Sequence, residues 1–250
     1  MTFSIVARDE RTGATGVAVA SRFFAVGALV PHVSATCAVA SQAWPNPLWG
    51  IDGLARMAAG ASARDVLAEL AARDAGQAAR QCHMVGPGGG SAAHTGPDCV
   101  DWAGHETGDG FSCAGNMLAG PRVVAAMGGA WRDGSDAAFE DRLLGVLEAG
   151  EAAGGDKRGR QSAALVVHKG QDYPWLDIRA DDHADPLGEL RRLLAVARER
   201  YALIADYLPT RDAFGGVPDR RELDARIETE TARRAAAGEP SASHATDAPE

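Results

Sequence analysis

Threonine stands at position 2, directly ahead of the short β-type run Phe3-Ser4-Ile5-Val6-Ala7. It is either the first residue of an ordinary edge strand or, once Met1 is removed, a nucleophile at the chain terminus. In the second reading the residue brings its own base. The free α-amine lies one Cβ–Oγ arm from the hydroxyl, and its ordinary pKa of about 7.7–8.0 leaves a useful neutral fraction at cellular pH. The amine, directly or through water, takes the hydroxyl proton as Oγ attacks an amide carbonyl. Threonine is small enough for methionine aminopeptidase to trim Met1. Small residues at position 2 are common in proteins that make no use of them, so position alone does not decide.

Acyl transfer also needs hydrogen-bond donors for an oxyanion. Asn116, after Gly115 at the end of a strand, can donate through its side-chain amide. Ser41 and Gln42, at the end of a third strand, are alternative donors, partly through main-chain N–H groups, although such residues often only cap strand ends. The segment 154–162 gathers Asp156, Lys157, Arg158, Arg160 and Ser162 among three glycines, immediately before a strand. Glycine allows close backbone approach. The cluster is therefore a candidate to bind an acidic substrate, with Arg160 among its contacts, or to let Asp156 polarise the Thr2 amine, and Asp156 and Ser162 are taken as candidate catalytic residues. The plain alternative is a solvated charged loop. Arg22 can hold a carboxylate bidentately or close an ion pair at a strand end.

Several classes are excluded or disfavoured by composition. The 250 residues carry 25 Lys and Arg against 34 Asp and Glu, a net charge of −9, so neither nucleic acid nor a membrane surface is an expected partner. No apolar run is long enough to span a bilayer. Arg8, Asp9, Glu10 and Arg11 interrupt any secretory apolar region, and the cytoplasm is the expected location. Cys37, Cys82, Cys99 and Cys113 form no CxxC pair and are expected as buried free thiols. Asp181, Asp182 and His183 are too tightly adjacent to converge on one ion and suit a helix start. His94, His105 and His168 have no partner at ligand spacing. No metal and no cofactor is expected, and the expected ligand is a small-molecule substrate.

The elements that must position these residues follow from periodicity. Residues 2–8 and 16–22 predict a hairpin closed by Asp9-Glu-Arg-Thr-Gly13, and 34–42 a third strand buried on both faces. Helices are predicted at 51–59 and after Ser62, with Asp65 in a capping-box relation. Short strands follow at 79–85, about 91–95 and 111–114, the first two joined by the loop at 86–90. Helices at 121–131 and 137–150 lead to strands at 162–168 and 175–179. Asp185-Pro186 then opens a helix in which Leu187, Leu190, Leu194, Ala197, Tyr201, Ile204 and Leu208 alternate at spacings of three and four. Such a seam either packs on its own domain or forms a contact between two copies, and a homodimer is the expected oligomer. Residues 1–208 form the expected domain, 209–234 a partly helical extension, and 235–250 a tail poor in large apolar residues that is expected to be disordered. Strands and helices come in blocks, which suits an α+β protein with antiparallel sheets between helical layers.

Five segments together carry a resemblance: TFSIVARD at the start, GVAVASRF from Gly16, Gly104-His105 with FSCAGNMLAGP from Phe111, GGDKRGRQSAA from Gly154, and DDHADP from Asp181. This combination resembles the DUF1028 family, bacterial proteins of unknown function placed in the N-terminal-nucleophile (Ntn) hydrolase superfamily, with proteasome β subunits similar in pattern. The resemblance runs from residue 2 to about 208. It implies a four-layer αββα sandwich of two antiparallel sheets, and hydrolysis of an amide C–N bond with Thr2 as nucleophile. Proteasome-type sites carry an aspartate just before the Ser-Arg pair and a lysine on the next strand. Here Ala20 takes the aspartate's place, and residues 30–42 contain no lysine.

Overall fold

The computed structural model describes residues 2–246. It divides into two units, Met1–Leu187 and Gly188–Glu250.

In the first unit, β1 (Thr2–Arg8) and β2 (Thr15–Ser21) form a hairpin. Its turn is built by Asp9, whose carboxylate accepts the N–H of Arg11 at 3.1 Å and the hydroxyl of Thr12 at 2.7 Å. Gly13 then turns the chain at φ 74°, where a side chain would be strained. The further elements are β3 (Pro31–Val33), β4 (Ala38–Ala43), α1 (Pro47–Ala58), α2 (Ala63–Arg73), β5 (Arg80–Val85), β6 (Ser91–Thr95), β7 (Trp102–Gly108), β8 (Phe111–Leu118), α3 (Pro121–Asp133), α4 (Phe139–Ala152), β9 (Ser162–His168) and β10 (Leu176–Ala180).

Two antiparallel sheets result, six-stranded in the order β10-β9-β2-β1-β8-β7 and four-stranded in the order β3-β4-β5-β6. Between them Val6, Val17 and Val19 meet Ala38, Ala40 and Val85, and the small alanines let the sheets approach. Helices α1 and α2 cover the four-stranded sheet through Trp49, Met57, Val66 and Leu70 against Val39, Cys82 and Met84. Helices α3 and α4 cover the other sheet, where Gly150 lies against Phe3, and Gly16 lies against Leu143 and Phe139. The fold is the expected αββα sandwich.

Three local departures have physical causes. The strand expected at 34–42 starts only at Ala38, because Ser34 accepts the Cys37 N–H at 3.2 Å and makes 34–37 a turn between β3 and β4. Helix α1 starts at Pro47, before the expected position, because Asn46 caps the Leu48 N–H at 3.1 Å. Strand β7 was not expected from the sequence: it lies at the sheet edge, it is only partly buried, and Gly104 interrupts its register.

The second unit holds most of α5 (Pro186–Val196), a π-helical segment (Ala197–Tyr201), α6 (Ala202–Ala205) and α7 (Arg221–Ala236). Along the seam, Leu190, Leu194 and Ala197 are buried while Tyr201 and Leu208 are exposed. Glu199 accepts the Ala242 N–H at 2.8 Å, and Arg192 donates to the Ala242 carbonyl at 2.8 Å. The last four residues of the expected tail lie outside the described residues. Among the described residues no helix is long and apolar enough to cross a membrane.

Candidate functional site

Thr2 opens β1, a strand flanked on both sides within the six-stranded sheet. Side chains alternate along a strand. Phe3 packs toward the helices, whereas Ser4 and Val6 reach into the space between the sheets, and Thr2 shares their face. Register then sets its neighbours. Thr2 lies opposite Ser21 on β2 and Asn116 on β8, and Ser21 lies opposite Ser162 on β9. A polar rung, Ser162–Ser21–Thr2–Asn116, thus crosses four strands, with every member buried. The Thr2 and Ser21 hydroxyls share a hydrogen bond of 3.2 Å.

Asp156 lies in the loop before β9. Its Oδ2 accepts the Arg22 N–H at 3.0 Å, its Oδ1 accepts the Arg158 N–H at 2.8 Å, and its main chain bridges Leu118. Arg22 and Leu118 belong to the two chains that flank β1. Asp156 therefore closes the end of the slot from which Thr2 emerges. It is buried, as a carboxylate with several donors can be.

A line of buried polar side chains runs from Asn116 through the layer between the sheets. Asn116 donates to Gln81 at 3.0 Å, Gln42 donates to the same oxygen at 2.9 Å, and Ser4 donates to Gln42 at 2.7 Å. His83 lies 2.8 Å from Ser4 Oγ. Its pKa is pushed down to about 3, first by burial and then by nearby His105, with the Ser112 main chain opposing. The ring is therefore neutral. Met117 (φ 53°) and Ala43 (φ 67°) hold left-handed backbone immediately after Asn116 and Gln42, strain of the kind that collects at functional sites.

The candidate residues thus divide. Thr2, Asn116 and Asp156 are brought together, and Gln42 joins the line behind Asn116. Ser41 is not: its side chain faces the helical layer, its hydroxyl donates to the Asn46 carbonyl at 2.9 Å, and its N–H is bound to Val30 O. Ser162 lies on the rung two strands from Thr2, about 10 Å away at ordinary strand spacing. Its hydroxyl donates to Phe23 O and accepts the Val26 N–H at 3.1 Å, so it shapes the turn after β2 and cannot act on the Thr2 hydroxyl. Arg22 donates to the Arg158 carbonyl at 2.9 Å, and among the described residues its side chain closes no ion pair with a carboxylate. Arg160 lies 3.2 Å from Asp185 and 3.6 Å from Glu151. Burial raises the Glu151 pKa, Arg160 opposes that rise, and Asp156 and Asp185 add to it.

Ser21, Ser4, Gln81 and His83 are not singled out as site residues by the sequence. The available signal is parity: polar residues at every second position of otherwise apolar strands, Thr2 and Ser4 on β1, Gln81 and His83 on β5. The cysteines are free, three buried and Cys99 partly so, and burial raises each thiol pKa.

Fold and site define an αββα protein with a buried hydroxyl residue heading a strand within the larger sheet. The chain belongs to DUF1028, a family of unknown function, with residues 2–190 matched. Protein SPO2555 from Silicibacter pomeroyi, a crystal structure assigned to the same family, is 35% identical, with 87% of this chain and 96% of that one covered at a TM-score of 0.80. Anbu (ancestral beta-subunit) from Yersinia bercovieri is 11% identical over 83% of this chain and 98% of its own, at a TM-score of 0.37. No curated protein matches the chain.

Proposed function

We propose that this protein is an Ntn-type amidohydrolase that cleaves a small amide or peptide-like C–N bond, with Thr2 as nucleophile after Met1 is removed. The observation that carries this reading is the rung: a buried hydroxyl heading its strand, hydrogen-bonded to Ser21 at 3.2 Å and flanked by the Asn116 amide. The Thr2 amine takes the Oγ proton, and Oγ attacks the carbonyl carbon. Asn116 donates to the oxyanion that forms. Collapse breaks the C–N bond as the Thr2 ammonium returns its proton to the leaving nitrogen. Water, activated by the same amine, then cleaves the acyl-enzyme. Asp156 at the end of the slot favours the ammonium form that carries the proton between these steps. No cofactor or metal is required. The setting we infer is cytoplasmic, with a homodimer as the assembly.

A second reading is a catalytically degenerate Ntn fold that binds a ligand without turnover. It is favoured by Ala20, buried beside Ser21 where proteasome-type sites carry an aspartate. Screening N-acyl amino acids, ureido compounds and small amides separates the two. Turnover by wild type and none by Thr2→Ala supports hydrolysis. A ligand that stabilises both proteins equally, with no turnover, supports binding alone.

A further inference from the structure

The polar line behind Asn116 has one arrangement, and two main-chain carbonyls set it. Gln81 Nε2 lies 2.9 Å from Gly115 O and 3.2 Å from Gly104 O, which can only accept. The nitrogen end of Gln81 must face them, and Thr95 Oγ1 at 3.0 Å adds a third acceptor. Its Oε1 must then face the other way, toward Asn116 and Gln42, and both present their NH2 groups at 3.0 and 2.9 Å. Because Gln42 spends its nitrogen there, its oxygen takes the Ser4 hydroxyl proton at 2.7 Å. Ser4 has no second proton, so the 2.8 Å contact with His83 Nε2 is a bond that His83 donates.

We propose that Gln81 is a positioning residue for the Thr2 site: held by the Gly104 and Gly115 carbonyls, it orients the Asn116 amide. One Asn116 N–H is committed to Gln81, and among the described residues no further side-chain hydrogen bond of Asn116 is found for its second N–H or its Oδ1. Those two groups, opposite Thr2 in the register, are the ones a substrate oxyanion and the Thr2 amine can use. With Gln81 replaced, the amide is free to flip and present oxygen where the developing anion needs a donor. This assignment rests on the reading of Thr2 as the nucleophile; the direction of the bonds does not.

The test uses the full-length protein and a β-lactone as probe. Thr2 Oγ attacks the lactone carbonyl, the ring C–O bond breaks, and the Oγ proton passes through the amine to the departing oxygen, so the adduct mass is the sum of the two. Limiting acylation rate and half-saturating probe concentration are measured for wild type, Asn116→Ala, Gln81→Met and the double variant. The expected result is a loss in limiting rate of about 100-fold for Asn116→Ala and about ten-fold or more for Gln81→Met, with little change in half-saturation. The double variant is no slower than Asn116→Ala alone, because Gln81 acts through Asn116. A Gln81→Met protein that acylates at the wild-type rate, or losses that multiply in the double variant, overturns the proposal. If wild type forms no adduct, the nucleophile reading fails first, and nitrogen-15 NMR of wild type still decides the arrangement. A neutral Nε2–H tautomer for His83 across about pH 6 to pH 8 upholds it, and an Nδ1–H tautomer overturns it.

Discussion

Asp156 and Arg22 are joined by a 3.0 Å bond from main-chain N–H to carboxylate, one residue beyond the position on β2 that faces Thr2. The same aspartate bridges Leu118, two residues beyond Asn116 on the other flank of β1. One acidic residue from the loop at 154–162 thereby ties the two strands beside Thr2, and its carboxylate also pairs with Arg158 Nη2 at 3.3 Å. Ala20, by contrast, carries no charge, so Asp156 is the acidic residue whose replacement tests the proposed site.

A carboxylate near an amine favours the ammonium and raises its pKa. In Asp156→Asn the amine pKa falls, so the rise of the acylation rate moves to lower pH. The limiting rate drops as well, because one of the carboxylate's main-chain donors loses its partner. A rate profile with β-lactone from about pH 5 to pH 9 measures both. An unmoved profile removes Asp156 from the site.

Ser21→Ala deletes the 3.2 Å partner of the Thr2 hydroxyl and leaves the strands intact. Acylation slows by about ten-fold, and unfolding stability falls by about 1 kcal/mol for each hydrogen bond lost. Chemical denaturation and acylation kinetics on the same sample show whether the two effects separate.

His83 makes the fold sensitive to acid. Its pKa in the folded protein, lowered to about 3, lies below the ordinary value, so protonation favours the unfolded chain. Its contribution is fully present above about pH 6.5 and is lost as the pH falls from about 6.5 toward about 3, at up to about 1.4 kcal/mol per pH unit. His83→Gln flattens that slope in urea titrations. A slope equal to wild type excludes His83 as its source.

Asp74 acts at lower pH. Burial tends to raise its pKa, but donors from Asn46, Arg80 and Gly76, with the Arg80 charge, outweigh burial and hold the carboxyl well below the usual carboxylate range. Trp49 Nε1 also donates to it at 2.9 Å, so Asp74 ties the start of α1 to β5. A depressed carboxylate stabilises the fold above about pH 3.9 and loses that contribution below it. Asp74→Ala should lower stability at neutral pH by about 2 kcal/mol, because Trp49 and Asn46 lose their acceptor.

Local features were legible in the sequence where a local signal exists. Alternation marks residues 2–8, Ser62 caps α2 by accepting the Asp65 N–H at 3.1 Å, and the loop at 86–90 closes a hairpin between β5 and β6. Thr2 and Asn116 stand out in the sequence as polar residues beside strands, and register sets them opposite each other. Ser41 and Gln42 show where reading stops. They are adjacent and equally polar, and only the pairing of Gln42 with Gln81 sends one toward the site and the other toward α1. Gln81 and His83 meet β1 and β8 across 34 to 79 residues of chain, a relation set by packing the two sheets together. Strand β7 lacked a pattern because an edge strand with glycines buries little.

The most direct test is intact-mass measurement of the purified protein before and after treatment with a β-lactone. The proposed nucleophile requires a mass lacking Met1 and a single adduct that maps to Thr2 and is absent from a folded Thr2→Ala protein. Retained Met1, or an equal adduct on Thr2→Ala, contradicts it, because a blocked amine cannot serve as the base and another residue would then be the one acylated.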